Sequence, residues 1–364
     1  MNKKNINSII PKGTFAVLAM TILMAQGCTG RKVRYSPPSF ASEKTVHFTK
    51  VSDELQYLPS DIFVYGDNII VTGCGKNSLN TLFIYDKTSG KEIRSGLKYG
   101  RGPKETIMGQ LCVSMVDGRM TYYDLMLDKM LSFRIEDFLK SGAEAITEQN
   151  FIVPKWTRFL TETADGKIIN LTSKGYLAKD TTTIHRISLS REDGFCSDYD
   201  SCPIEDKPLA FTIYNQPRIS ISPDGTKMAI GTLEGAILET FDISKEIRNI
   251  ATKYFVEPII SVHGGTYSYV DQSVPGFYDL VATDDRIFAA YDGKYKWGDL
   301  SGQSWSERPL EFTEIAVFDW KGNGLAIYDT DYRVERIFYA ETEKTLYAII
   351  VDNEKKHFIG KLEI

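Results

Sequence analysis

The sequence lacks the residue spacings that mark the common enzyme classes. Its 364 residues include only four histidines, and none of them forms the HExxH pair of a zinc protease. The GxSxG turn of serine hydrolases, a Walker phosphate loop and the CxxC spacing of redox or zinc sites are also missing. We therefore expect no metal and no cofactor, and favour a protein that is not an enzyme.

Positive charge is scarce as well. The chain has 43 Lys and Arg against 48 Asp and Glu, a formal net charge of -5. A nucleic-acid-binding domain carries a basic patch or stripe, so we expect no nucleic-acid partner. With 42% hydrophobic and 25% charged residues, the composition is otherwise that of a globular protein, which argues against disorder and against a multi-span membrane protein.

One apolar run stands out, at the N-terminus. Lys3, Lys4 and Lys12 precede the stretch from Phe15 to Ala25. About a dozen apolar residues are too few to cross a bilayer, which takes roughly 20, and a short run behind a basic segment is typical of a secretory signal. Plain secretion without an anchor is one interpretation.

The residues that follow favour anchoring. The run LMAQGC, from Leu23 to Cys28, resembles the bacterial lipoprotein box. In that box the cysteine carries a lipid on its thiol and becomes the new N-terminal residue. This resemblance implies a signal peptide over 1–27, palmitate on Cys28 and a membrane reached through the lipid. Because Thr29 stands where an Asp would retain such proteins in the inner membrane, it also implies the outer membrane. Residues 28–43 then form a lipid-anchored tether.

Residues 44–364 repeat one strand pattern six times, which predicts a single domain. In each copy a β-rich strand meets a tight turn, and two further strands follow. The turns fall at Asp67, Asp117-Gly118, Asp165-Gly166, Asp224-Gly225, Asp284-Asp285 and, more weakly, Glu341 to Lys344. Turns of this kind are strong hairpin signals because their central positions accept positive φ.

A period of about 50 to 60 residues, without long amphipathic helices, predicts an all-β fold, a six-bladed β-propeller with four-stranded antiparallel blades. Thr45 to Lys50 alternates ahead of the first copy, and we expect this N-terminal strand to close the last blade beside Lys355 to Ile364. A pair of β-sandwiches or an open β-solenoid is the alternative fold.

Two motifs carry a family resemblance. Gly100 to Glu105 (GRGPKE) resembles the GxGPxE loop of six-bladed, TolB-like propeller lipoproteins of Gram-negative envelopes, and Ser222 to Ala229 (SPDGTKMA) resembles the SPDGxxxA hairpin of TolB and related propellers. The resemblance implies the scaffold and an envelope location. It implies no reaction, because such propellers include binding proteins, lyases and lactonases.

A propeller has two faces, and the loops sort the candidate residues between them. We call the face at which the innermost strands begin the loop face, and the face that carries the turns above the hairpin face. Arg158, Arg218 and Arg336 recur six or seven residues before their turns, so on the loop face they would converge with Arg101 as a funnel for a carboxylate, phosphate or uronate. The alternative is that each arginine pairs with an acid of its own sheet.

The same face carries two long loops rich in aromatic residues. Together they hold His263, Tyr267, Tyr269, Tyr295, Trp297 and Trp305. Such a rim suits a sugar, a peptide or another flat ligand, although these side chains could instead cover the core of their blade. His263 is a weak candidate for a general base.

Two functions from different classes fit these residues. The favoured one is a lipid-anchored binding or scaffold protein that recognises a small molecule, a glycan or a protein. The alternative is a propeller lyase or lactonase that acts on an anionic carbohydrate. A calcium-dependent lactonase would need channel carboxylates, for which Asp61, Asp279 and Glu335 are candidates. Separately, Cys196 and Cys202 are spaced to close a small disulfide loop.

The lipoprotein box makes the first testable prediction. Replacing the thiol with a hydroxyl removes the sulfur that the lipid transfer requires, so Cys28→Ser should move the protein from the membrane fraction to the soluble fraction and abolish labelling with palmitate. Cys74→Ser is the matched control and should leave both unchanged. A Cys28→Ser protein that keeps its label would show that the box is not read.

Overall fold

A computed structural model describes residues 34–75, 79–107, 111–151, 157–172, 185–263, 266–269, 274–293 and 313–364. The unit that runs from Tyr35 to Ile364 contains six sheets arranged as blades. The prediction of a six-bladed propeller is confirmed.

Each of the first four blades is an antiparallel sheet of four consecutive strands. Blade 1 contains β3 (Leu58–Tyr65), β4 (Asn68–Cys74), β5 (Asn80–Asp86) and β6 (Glu92–Lys98). Blade 2 contains β7 (Leu111–Val116), β8 (Arg119–Asp124), β9 (Lys129–Arg134) and β10 (Thr147–Asn150). Blade 3 contains β11 (Thr157–Glu162), β12 (Ile168–Thr172), β13 (Ile187–Ser190) and β14 (Cys196–Tyr199). Blade 4 contains β15 (Arg218–Ile221), β16 (Lys227–Gly231), β17 (Ile237–Asp242) and β18 (Arg248–Tyr254).

The last two blades each include a strand from the N-terminal end of the unit. Blade 5 contains β21 (Phe277–Ala282), β22 (Arg286–Tyr291), β23 (Glu314–Asp319) and β24 (Gly324–Thr330), and carries β1 (Glu43–Val46) on its outer edge. Blade 6 contains β25 (Arg333–Ala340), β26 (Thr345–Val351) and β27 (His357–Glu363), and is completed by β2 (Thr49–Lys50). A separate hairpin, β19 (Ile260–His263) and β20 (Thr266–Tyr269), lies between blades 4 and 5 in the chain.

Within the described ranges the helices are short and lie between blades or strands. They are α1 (Ile135–Ser141) and α2 (Lys207–Ile213), with 3₁₀ turns at Gly142–Ala145 and Glu341–Glu343. Asp206 begins α2 by accepting a hydrogen bond from the backbone N–H of Leu209, as an N-cap residue should. None of the helices in the described residues is long and apolar enough to span a bilayer.

The predicted turns join the first strand of each blade to the second. At the turn of blade 2, Asp117 and Gly118 both have positive φ, +47° and +70°, because a two-residue hairpin turn that follows the twist of its strands needs that backbone. The Asp at the end of several third strands also has a local role. Asp86, Asp242 and Asp319 each accept a hydrogen bond from a backbone N–H two or three residues later, which starts the turn into the fourth strand.

The N-terminal segment follows the outside of three blades, and we call residues 35–50 the N-terminal strap. Its Ser36 N–H donates to the carbonyl of Tyr254 on blade 4, at 2.9 Å. Its strand β1 then pairs in parallel with β24 of blade 5, from Glu43 opposite Ile327 to Val46 opposite Thr330. Some of the residues predicted as tether therefore pack on the propeller.

The strap also closes the ring. Thr49 and Lys50 pair antiparallel with Lys361 and Gly360 of β27, which confirms that an N-terminal strand completes blade 6. The closing strand is shorter than the Thr45 to Lys50 of the sequence prediction, because Thr45 and Val46 belong to blade 5. The carboxylate of Asp331 fixes the crossing between the two blades, since its oxygens contact the N–H of Phe48 and Nδ1 of His47.

The core lies between neighbouring blades. Between blades 3 and 4 it includes a buried ion pair, in which Arg186 Nη1 donates to Glu239 Oε1 at 3.0 Å and both side chains are about 1% exposed. The hydroxyl of Tyr214 donates to the same carboxylate at 2.8 Å. A buried charge is tolerated only when its partners are this complete.

The strap makes a stability prediction. A chain that begins at Leu55 loses β1 and β2 and exposes the edges of β24 and β27, and an open ring should unfold at lower urea concentration and lower temperature than the mature protein. Circular dichroism during urea titration measures this. A chain that begins at Arg34 retains the whole strap and is the matched control, which should unfold as the mature protein does. Equal midpoints for both truncations would disprove closure by the strap.

Candidate functional site

The innermost strands create the chemistry of the central channel. The first strand of each blade has no strand beside its inward edge, so its backbone N–H and C=O groups need other partners. Side chains of the neighbouring blade supply several of them. Ser220 Oγ accepts from the N–H of Ala282 at 2.8 Å, and Asp279 Oδ2 accepts from the N–H of Ile337 at 2.9 Å. Arg336 Nε donates to the carbonyl of Ser60.

Four of these innermost strands contain a β-bulge near their start. The extra residues are Ser60, Arg158, Tyr278 and Glu335, each next to a shift in the pairing register. A bulge rotates the residues that follow it relative to the sheet, and bulges are common beside functional sites.

Four charged residues occupy matching positions in blades 4, 5, 6 and 1, and we call them the charged ring. In the order of the blades they are Arg218, Asp279, Arg336 and Asp61, so the sign of the charge alternates. Arg336 Nε lies 4.0 Å from Asp61 Oδ1. The ring of Tyr278 connects the two arginines, because their guanidinium carbons lie 5.5 Å and 5.4 Å from its centre.

The two arginines of the charged ring are not equally compensated. Burial alone would lower the pKa of Arg336, but the carboxylates of Asp279 and Asp61 raise it above its usual value. The pKa of Arg218 is lowered, first by burial and then by repulsion from Arg336. Arg218 Nε is buried and has no hydrogen-bond partner in the described part of the chain. Burial also raises the pKa of Asp279, against the opposing effect of both arginines.

A cavity of about 400 Å³ lies next to the charged ring, and innermost strands of all six blades line it. Asp61, Asp279 and Arg336 line it at one end. At the other end its lining includes Ala164 and Pro223, which are exposed at the hairpin face. The cavity therefore extends to exposed residues at the hairpin face.

The structure separates the three arginines that the sequence grouped. Arg218 and Arg336 converge, as expected. Arg158 does not join them, because it is the extra residue of its bulge; its guanidinium carbon lies 5.9 Å from the ring of Phe211 on α2, and Phe159 lines the cavity instead. The alternative, in which each arginine pairs with an acid of its own sheet, does not describe Arg336, because its nearest ion-pair partner is Asp61 of the neighbouring blade 1 and the charge of Asp279 on blade 5 also stabilises it.

Arg101 lies on the GxGPxE loop, whose residues hold one another in place. Glu105 Oε2 accepts a hydrogen bond from the N–H of Gly102 at 2.8 Å. A Cβ at Gly100 would lie only 2.1 Å from that oxygen, which explains the first glycine of the motif. Lys129 Nζ donates to the carbonyl of Gly102 at 3.1 Å. The motif thus builds a loop that these hydrogen bonds stabilise, with Arg101 exposed on it.

Several predicted residues lie outside what the structure describes. Tyr295, Trp297, Trp305 and Cys28 fall outside the described residues, and for His263, Tyr267 and Tyr269 the backbone strands are described but the side chains are not. The aromatic rim and the role of His263 stay predictions. The disulfide also stays a prediction, with Cys196 exposed at the start of β14 and Cys202 packed against the core between blades 3 and 4.

One charged cluster was missed by sequence reasoning. His357 Nε2 lies 3.2 Å from Glu335 Oε2, and Arg333 Nη2 donates to Glu335 Oε1 at 2.7 Å. Burial alone would raise the pKa of Glu335, but these partners lower it. His357 follows Glu335 by 22 residues, so the spacing in the sequence does not predict that the two side chains are in contact. In the described residues no group of three or more His, Cys, Asp and Glu is arranged to hold a metal ion.

Comparison with known proteins identifies the class. The family model described as TolB-like 6-blade propeller-like matches residues 39–342, and the chain belongs to this family. A search of curated proteins finds no match.

Solved structures show the same fold at low identity. A member of the DUF4221 family from Bacteroides vulgatus is 11% identical with a TM-score of 0.52, and the match covers 90% of this chain and 98% of that one. A protein provisionally described as exported, from Bacteroides fragilis, is 13% identical with a TM-score of 0.51, with coverage of 88% and 98%. At such identities the likeness extends to the fold alone.

The unequal compensation of the two arginines makes a prediction about stability. Arg336→Met removes the donor to the Ser60 carbonyl and the positive charge that faces Asp61 and Asp279, and should lower the free energy of unfolding by about 2 kcal/mol or more. Arg218→Met removes a buried cation that Arg336 repels, so it should leave the free energy of unfolding unchanged or raise it. Urea unfolding of the two variants side by side measures the contrast. An equal loss of stability would show that Arg218 is a structural residue.

Proposed function

We propose that this protein is a binding protein of the cell envelope that recognises an acidic group at Arg218 on the loop face of the propeller. The observation that carries the proposal is the state of this guanidinium. It is largely buried, its Nε lacks a hydrogen-bond partner in the described residues, and the nearby Arg336 repels it. Such a group has a cost in the unliganded protein that a bound anion would remove.

The chemistry of the surroundings narrows the ligand. A guanidinium pairs most strongly with a carboxylate or a phosphate, since its N–H groups match two acceptor oxygens. The neighbouring ring of Tyr278 adds a flat surface for a sugar or another ring. A uronate-like ligand, with one carboxylate on a sugar ring, meets both features.

Anchoring remains part of the proposal. The basic segment, the short apolar run and Cys28 support a lipid-anchored protein of the outer membrane. An anchored propeller would hold its ligand at the membrane.

An enzyme of the lyase or lactonase type is the second candidate, and the Glu335 and His357 pair favours it. A carboxylate that orients an imidazole is the usual arrangement of a general base. Loss of turnover of a uronate on His357→Gln, with binding retained, would support this candidate.

Binding can be measured by calorimetry with galacturonate, with galactose as its neutral counterpart. We expect galacturonate to bind and galactose not to bind. Arg218→Met should weaken binding at least tenfold, because a charged hydrogen bond contributes about 1.5 to 3 kcal/mol. Arg218→Lys should retain part of the affinity, since lysine keeps the positive charge but lacks the pair of N–H groups that match two acceptor oxygens.

Arg158→Met is the matched control, because Arg158 was predicted in the same role and lies against Phe211 instead. It should bind galacturonate as the original protein does. Equal binding of the two sugars, or normal affinity in Arg218→Met, would contradict the proposed acidic ligand.

A further inference from the structure

The channel cavity differs in charge from the site at Arg218. Its described lining contains four carboxylates and one guanidinium. The carboxylates are Asp61, Asp117, Glu162 and Asp279, and the guanidinium is that of Arg336. Neither Arg218 nor Tyr278 is among the lining residues. The cavity therefore carries an excess of negative charge, which favours a positively charged ligand.

Two of the four carboxylates are already engaged. Glu162 forms an ion pair with Arg119 at the blade 2 and blade 3 junction. Asp279 accepts the N–H of Ile337 and is flanked by both arginines of the charged ring. These two groups stabilise the propeller and have little capacity left for a ligand.

Asp61 has that capacity. Its Oδ2 accepts one hydrogen bond, from Thr72 Oγ1 at 3.1 Å. Its Oδ1 lies 4.0 Å from Arg336 Nε, too far for a hydrogen bond, because that nitrogen donates to Ser60 instead. The side chain is 45% exposed although it lies in the channel wall, so its carboxylate can accept a hydrogen bond from a donor in the cavity.

The remaining wall is suited to an apolar body. Four aromatic side chains from blades 1, 3 and 6 line the cavity, namely Phe63, Phe159, Phe338 and Tyr339. The faces of aromatic rings bind organic cations, and they also pack against apolar groups. A volume of about 400 Å³ lies within the range of small-molecule sites.

The entrance has the matching charge. Asp117 lines the cavity and is exposed at the turn of blade 2, on the hairpin face. A carboxylate at the mouth raises the local concentration of cations.

We infer that the channel cavity is a second binding site, which takes an organic cation through the hairpin face and places its ammonium group at Asp61 and its apolar body along the aromatic walls. This inference uses neither Arg218 nor the loop face. It therefore holds or fails independently of the proposed acidic ligand.

Three probes of nearly equal shape test it: benzylammonium, benzyl alcohol and benzoate, measured by ligand-observed NMR and calorimetry on the mature protein. We expect benzylammonium to bind and the other two to bind at least tenfold more weakly. Asp61→Asn should lower the affinity for benzylammonium at least tenfold. Glu246→Gln removes one exposed carboxylate from the outer side of blade 4 and is the matched control, which should bind as before.

A second variant tests the route and does not touch the carboxylate. Ala164→Trp places a large ring at the hairpin-face end of the cavity, so association of benzylammonium should slow at least fivefold while the circular dichroism spectrum is unchanged. Absence of benzylammonium binding at millimolar concentration, equal binding of benzyl alcohol, preference for benzoate, or normal affinity in Asp61→Asn would each overturn the inference. Normal circular dichroism of Asp61→Asn is required for its comparison, and if that variant does not fold, Ala164→Trp decides alone.

Discussion

The inward edges of the six innermost strands impose the constraint on which the channel depends. A strand in the middle of a sheet satisfies its backbone on both sides, but a strand at the centre of a propeller has a neighbour on one side only. This protein satisfies much of the free edge with side chains from the adjacent blade, such as Ser220, Asp279 and Arg336. The channel is polar and charged for this structural reason, before any ligand is considered.

The same constraint divides the charged residues of the channel into those that bind the protein backbone and those that can bind a ligand. Asp279 and Arg336 bind the backbone of the neighbouring blade, and their opposite charges stabilise each other. Both charges therefore serve mainly to stabilise the contacts between blades. Arg218 and Oδ1 of Asp61 remain available to bind a ligand. They are chemically opposite, and the cavity lining contains Asp61 but not Arg218. A propeller with this arrangement can have one site that binds an acidic group and another that binds a cation.

Closure of the ring places a demand on the N-terminal strap. Parallel pairing of β1 with β24 and antiparallel pairing of β2 with β27 require the segment to leave one blade and enter the next within a few residues. The carboxylate of Asp331 lies at that crossing, where it accepts the N–H of Phe48 and contacts Nδ1 of His47. Sequence alternation identified the strand Thr45 to Lys50 but not its division, because alternation is the same whichever sheet a strand joins.

The sequence by itself determined the number of blades, their turns and the closing strand, because hairpin turns and strand alternation are local properties that survive in any context. It also placed Arg218 and Arg336 at equivalent positions. Arg158 stands seven residues before its turn, where Arg218 and Arg336 stand six, and only the tertiary structure showed that this offset makes Arg158 the extra residue of a bulge and removes it from the group. Tertiary structure alone also brought His357 to Glu335 and opened the cavity beside Asp61. Those contacts join residues from different strands or blades, and the distance between them depends on how the strands and blades pack around one axis.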